Sequence, residues 1–136
     1  MDARAVIVHT LDQAQAAAAV AVELGVPLTL RSAPGAGAYL GAEVFQSIVD
    51  SACARCPEAT VHAVLDCGDD PGLALLALRV GVKGIALKAN KKVRVKIADI
   101  AAQYNAALED DVGAHLDLLG CEDPKAAVRD WFIGDT

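Results

Sequence analysis

Residues 61–72 read VHAVLDCGDDPG, placing a carboxylate, a thiol and two further acids at the end of an alternating apolar run. An aspartate there can move a proton, and a thiol beside it can act as a nucleophile or a soft metal ligand. Lys88 ends the next apolar run, Gly84-Ile85-Ala86-Leu87. It can neutralise Asp66 as an ion pair at a sheet rim or, with a depressed pKa, serve as a Schiff-base amine. His9 follows the first run, Ala5-Val6-Ile7-Val8, close enough to share a rim with Cys67 and lend an imidazole to a metal. Cys53 and Cys56 form a C-x-x-C pair near a helix end, just before Pro57. The helix dipole disfavours a thiolate there, so they read as small, half-buried helix residues.

The elements that must position these groups alternate along the chain. After the first run, Thr10 stands three residues before Gln13, a capping-box start for a helix to about Leu24, with Gly25 as its left-handed cap. Pro27 to Leu30 is the second strand, and a helix from about Tyr39 to Ala54 follows the loop 32–37. Val61 to Leu65 is the third strand; Asp70-Pro71 opens the next helix and Gly81 closes it. Gly84 to Leu87 is the fourth strand, and Asn90 caps a helix from about Lys91 to Leu108. Val112 to Leu119 reads as a short fifth strand or as more helix, and Asp123-Pro124 starts a terminal helix carrying Trp131 and Phe132. Four βα units in succession predict a parallel sheet with right-handed helical crossovers. Residues 1–136 then form one domain, with 109–136 as a C-terminal covering segment.

Composition narrows the function. The 136 residues are 54% hydrophobic but only 4% aromatic, so the core must come from close packing of Ala, Val and Leu. A net charge of −6 argues against nucleic acid or an anionic membrane as partner. No apolar run approaches the roughly 20 residues of a membrane span, and no signal-peptide pattern is read. A cytoplasmic protein with reduced thiols is expected.

Taken as a series, the segments resemble the N-terminal half of class II (zinc-dependent) ketose-bisphosphate aldolases, the fructose- and tagatose-bisphosphate enzymes. In that family a segment of the type PVI-x(3)-S-x-G-x(3)-Y-x-G follows the first βα unit; here Pro27 to Gly41 reads PLTLRSAPGAGAYLG. The family's third strand ends in LDHG; this chain has Leu65-Asp66-Cys67-Gly68. The family's A-x(3)-GF-x-SVM-x-DGS is matched by Ala77 to Asn90, ALRVGVKGIALKAN. Order and spacing agree over residues 5 to about 108.

The resemblance implies roles. Asp66 takes the place of the proton-transfer aspartate and Cys67 that of a zinc-ligating histidine; a thiolate can also bind zinc, with His9 the nearest second donor. Lys88 replaces an acid and Asn90 a serine. Ser32 lies one residue before the position of the substrate-contacting serine, where this chain has Ala33, and Gly35 falls in the same loop. Catalysis is thus expected at Asp66 and Lys88, substrate contact at Ser32, Gly35 and Asn90, and metal contact at Cys67 and His9. The family's remaining zinc histidines and phosphate-binding loops come from the second half of its barrel. No cofactor is expected, zinc being the one ion the motif admits.

Eight strands close a barrel, whereas four leave two edges and one sheet face open. A TIM half-barrel-like α/β fold with a short helical C-terminal segment is therefore expected, an open flavodoxin-like sheet being the other arrangement that fits. Val6, Val8, Leu28, Leu30, Ala63, Leu65, Ile85 and Leu87 are expected on the face left uncovered. That predicts a homo-oligomer, dimer or higher, with Trp131 and Phe132 near the covering contact. Two main functions follow, with a redox or metal-handling protein using Cys53, Cys56 and Cys67 as a third. The first is a non-aldolase module for assembly or for binding a small anionic or carbonyl ligand. The alternative is an aldolase-related lyase or other carbonyl-chemistry enzyme with its site rebuilt across an oligomer interface.

Overall fold

The computed structural model describes residues 4–109 and 115–134. Strands β1 (Arg4–Ile7), β2 (Leu28–Arg31), β3 (Val61–Asp66) and β4 (Gly84–Ala86) are linked by helices α1 (Leu11–Leu24), α3 (Ala42–Arg55) and α4 (Pro71–Val80). A one-turn helix, α2 (Ala36–Tyr39), precedes α3, and α5 (Lys91–Gln103) follows β4. Short strands β5 (Ala107–Leu108) and β6 (His115–Asp117) and the helix α6 (Pro124–Ile133) complete the chain. All pairings are parallel, and the sheet order is β5-β4-β3-β2-β1-β6. Four consecutive βα units thus form a half-barrel-like sheet, extended by one strand at each edge.

Local chemistry explains the helix boundaries. Thr10 accepts from the Gln13 N–H at 3.2 Å, Asp70 from Gly72 at 2.9 Å, Asn90 from Val93 at 2.9 Å and Asp123 from Ala126 at 3.1 Å. Each satisfies an N–H that the first helical turn leaves without a carbonyl. Gln13 does not complete the capping box on Thr10. Its side chain instead accepts from the His9 N–H at 2.7 Å and donates to the Leu118 carbonyl at 2.8 Å, tying the end of β1 to the end of β6.

The element boundaries depart from the sequence expectation in two places. The helix expected from about Tyr39 begins at Ala42, after Gly41 with φ 88°, and a separate single turn, α2, occupies 36–39. The helix expected to reach Leu108 stops at Gln103, where Asn105 adopts a left-handed conformation and lets the chain enter β5. Of the ambiguous stretch 112–119, residues 115–117 form a strand and the part before them lies outside the described residues.

The core sits between the sheet and one layer of helices. In that layer α1 packs on α3 and α6, α3 on α4, and α4 on α5. Val6, Val8, Leu28 and Leu30 share a buried cluster with Ala14, Ala17 and Val20 of α1. Ala63, Leu65, Ile85 and Leu87 share another with Phe45, Val49, Ala74 and Leu78. Small alanines on α1 and α4 let the helices lie close to the sheet, which is how a chain poor in aromatics reaches core density. These eight strand residues are the ones expected on the uncovered face, so that assignment is reversed: they point to the helices. The C-terminal segment also belongs to the helix side, with α6 against α1 and Trp131 and Phe132 packed on the cluster around Val6 and Leu28.

Candidate functional site

Side chains alternate across a strand, so the residues between those apolar positions face away from the helices. They are Ile7, Thr29, Arg31, His62, Val64, Asp66 and Ala86, with Asp117 on β6 and Glu109 just after β5. Registers place Thr29 beside His62 and Asp66 beside Ala86. The second face of the sheet therefore mixes polar and ionisable side chains with the buried apolar Ile7, Val64 and Ala86. Two of its pairs are made across strands. His9 Nε2 lies 2.7 Å from Asp117 Oδ1, and His62 Nε2 lies 3.0 Å from Glu109 Oε2.

The His62–Glu109 contact spans β4, which lies between β3 and β5, and Gly84 is what permits it. A Cβ at Gly84 would stand 3.0 Å from His62 Nε2 and 2.7 Å from the Ala63 carbonyl oxygen. The pair explains a histidine that the sequence places far from the carboxyl ends of the strands. Burial works against the Asp117 carboxylate, but hydrogen bonds from His9 and the Leu119 N–H, with the His9 charge, hold it below its ordinary range.

Asp66 is the centre of the carboxyl end. Its Oδ1 accepts from Gly68 N–H at 2.8 Å and Gly35 N–H at 3.1 Å, and its Oδ2 lies 4.0 Å from the Arg31 guanidinium. Both donors are glycines in left-handed conformation, φ 61° at Gly68 and φ 71° at Gly35, which other residues adopt only with strain. The sequence thus bends two loops so that their N–H groups meet one carboxylate. The Asp66 N–H donates to Ser32 Oγ at 2.9 Å, and that hydroxyl donates to the Ala33 carbonyl at 3.1 Å. Ser32 is 2% exposed, which turns its hydroxyl inward.

The remaining candidates are placed as follows. Gly35 uses its N–H on Asp66, and Asn90 uses its side-chain oxygen on the Val93 N–H at the start of α5. Lys88 is exposed, its backbone N–H donates to the Gly68 carbonyl at 2.8 Å, and among the described residues its ammonium makes no ion pair. The cation nearest Asp66 is Arg31, which sequence reasoning missed. Its signal was a lone arginine ending the apolar strand PLTLR, one strand away from Asp66. Glu109 was missed as well, and the sequence reads Arg94 only as part of a solvated helix face, with Lys91, Lys92 and Lys96, that could also bind an anion. Together with Asp66, Ala86, Leu87, Lys88 and Ala89, Arg94 and Glu109 line a cavity of about 330 Å³ at the carboxyl ends of β3 to β5. The Arg94 guanidinium donates to the Leu87 carbonyl at its wall.

Cys67 and His9 are not brought together. Cys67 is 1% exposed within the helix-side cluster, packed under α2, where a Cβ on Gly37 would sit 3.5 Å from its sulfur. Burial, then the charges of Asp66 and Asp70, push its thiol up to about 12. His9 turns the other way, to β6. A zinc site needs deprotonated donors converging at about 2.0–2.3 Å from one point. Among the described residues no three such donors gather, and this pair does not fit the ion.

No family model matches the chain, and no curated protein matches it significantly. Among solved structures the fold is similar to a provisionally assigned fructose-1,6-biphosphate aldolase from Coccidioides immitis, with a TM-score of 0.59 and 17% sequence identity. The match covers 79% of this chain and 45% of that one. The chain thus spans less than half of that relative, and the likeness is one of an aldolase-like fold.

Proposed function

We propose that this chain is a non-aldolase, small-molecule-binding module on an aldolase-like half-barrel, acting as a homo-oligomer. The observation that carries it is the cavity beside Asp66. Ligands of parallel α/β sheets bind outside the carboxyl ends of the strands, and this cavity lies there with Lys88, Arg94 and Glu109 on its walls. A proton-transfer carboxylate must reach its substrate with a free oxygen. Asp66 holds two loops with one oxygen and faces Arg31 with the other, so we assign it to structure rather than to catalysis. The exposed Lys88 suits recognition of an anionic or carbonyl group. A second copy shields the mixed sheet face and the short edge strands β5 and β6, at which the sheet of the described residues ends.

Calorimetric titration with small carbonyl acids and phosphate esters tests the reading. Saturable binding that is lost in Lys88→Ala, with the fold unchanged, is expected. Cleavage of a ketose bisphosphate, or a borohydride-trapped adduct on Lys88, would instead favour the lyase. Sedimentation showing a monomer at micromolar concentration would remove the oligomer.

A further inference from the structure

From Pro71 to Ala98 the chain has no acid and seven cations, in a protein of net charge −6. Five of the seven lie between Lys88 and Lys96, around the start of α5. The first turn of α5 holds no acid and begins with Lys91 and Lys92, which face the positive end of the helix dipole. The cluster would be a plain solvated surface if it met nothing concave, but it borders two cavities. The first is the one beside Asp66. The second, about 510 Å³ and more open, is lined by Lys91, Val95, Ala98 and Leu108, and shares Ala89 and Arg94 with the first.

The two cavities differ in chemistry. The first sets Lys88 and Arg94 beside two carboxylates, Asp66 and Glu109, which are already engaged by Arg31 and His62. The second is an apolar groove between α5 and the edge strand β5, and Val95 is left 52% exposed beside it. Lys88 and Lys91 flank the boundary from either side. An anionic head group is attracted to that boundary, where Lys88 and Lys91 meet the shared Arg94. A hydrocarbon body attached to it is driven into the groove by burial of Val95 and Leu108.

We propose that the two cavities form one site for an organic anion with a single charged head group, the head lying between Lys88 and Lys91 and the apolar body along Val95, Ala98 and Leu108. The inference rests on reading the Asp66 cavity as a ligand site and names the class of ligand. The full chain is titrated by calorimetry with octanoate, octyl phosphate, inorganic phosphate and octanol. The two octyl anions separate a carboxylate head from a phosphate head. At least one of them binds, octanol binds much more weakly, and Lys88→Glu/Lys91→Glu lowers the affinity of the bound anion by about tenfold or more. Val95→Asp removes the advantage of the octyl chain over inorganic phosphate. All these positions are exposed, and circular dichroism checks that each variant is folded. Equal binding of octanol, or unchanged affinity in both variants, overturns the inference. Binding of phosphate with no gain from an octyl chain also overturns it, while leaving a small-anion cavity in place. If neither these probes nor the small carbonyl acids bind, both the inference and the proposed ligand site fail.

Discussion

Replacing Asp66 by alanine and by asparagine separates what its charge does from what its oxygen does. Alanine removes the acceptor for Gly68 and Gly35, at 2.8 and 3.1 Å, and the anion facing Arg31. Hydrogen bonds to a charged group contribute about 1.5–3 kcal/mol each. Water recovers part of this, because the Asp66 side chain is 16% exposed, but little reaches the Arg31 side chain at 7%. A net cost of about 3 kcal/mol for Asp66→Ala follows, roughly 10 °C in Tm for a domain of this size. Asparagine keeps an oxygen that accepts from both glycines but turns an NH2 donor toward Arg31 in place of the second oxygen, so about 1–2 kcal/mol is expected. Urea unfolding followed by circular dichroism gives the two values, provided the slope m stays constant. Amide exchange should quicken at Gly35 and Gly68 in the alanine variant and much less in the asparagine one. A cost below about 1 kcal/mol for alanine would refute the role of Asp66 in holding the Gly35 and Gly68 loops, since the lost hydrogen bonds alone exceed it. Equal costs for the two variants would show that the Arg31 charge, and not the paired N–H groups, holds the loops.

Other expectations follow from the same geometry. Gly84→Ala pushes a Cβ to 2.7 Å from a backbone oxygen and 2.8 Å from Val64 Cγ2, and should cost about 2–3 kcal/mol in chemical denaturation while breaking the His62–Glu109 contact. Cys67, with its thiol raised to about 12, should resist iodoacetamide at pH 8 in the native protein and react once unfolded, as mapped by mass spectrometry. A raised thiol pKa means that the unfolded chain loses this proton first, so stability should fall as pH rises from the ordinary thiol range of about 8.5 toward 12, less steeply in Cys67→Ser. Asp117 is lowered, so its contribution is present above the ordinary carboxylate value and is lost as pH falls through the depressed one. Asp117→Asn should accordingly narrow its stability gap to the parent protein in acid titrations.

What could be read along the chain was local. Thr10, Asp70, Asn90 and Asp123 each bond to an N–H two or three residues on, and Gly25 and Gly81 close helices within their own turn. Such contacts depend on neighbours in sequence, so caps, the four main strands and their parallel βα order were legible from spacing, whereas the half-barrel was implied by the family resemblance. Period-two alternation likewise shows that Asp66 and its neighbour Cys67 must diverge if the strand continues through them, and the structure has them diverge. Alternation does not say which face meets the helices. That was decided when α1, α3 and α4 packed their small apolar sides on Val6, Leu30 and Leu65, leaving Arg31, His62 and Asp66 to the other face. The pairing of Asp66 with Arg31, and of His62 with Glu109 across Gly84, joins residues 35 and 47 positions apart through strand register. Only tertiary structure sets that register, because it follows from how the whole sheet buries its apolar face.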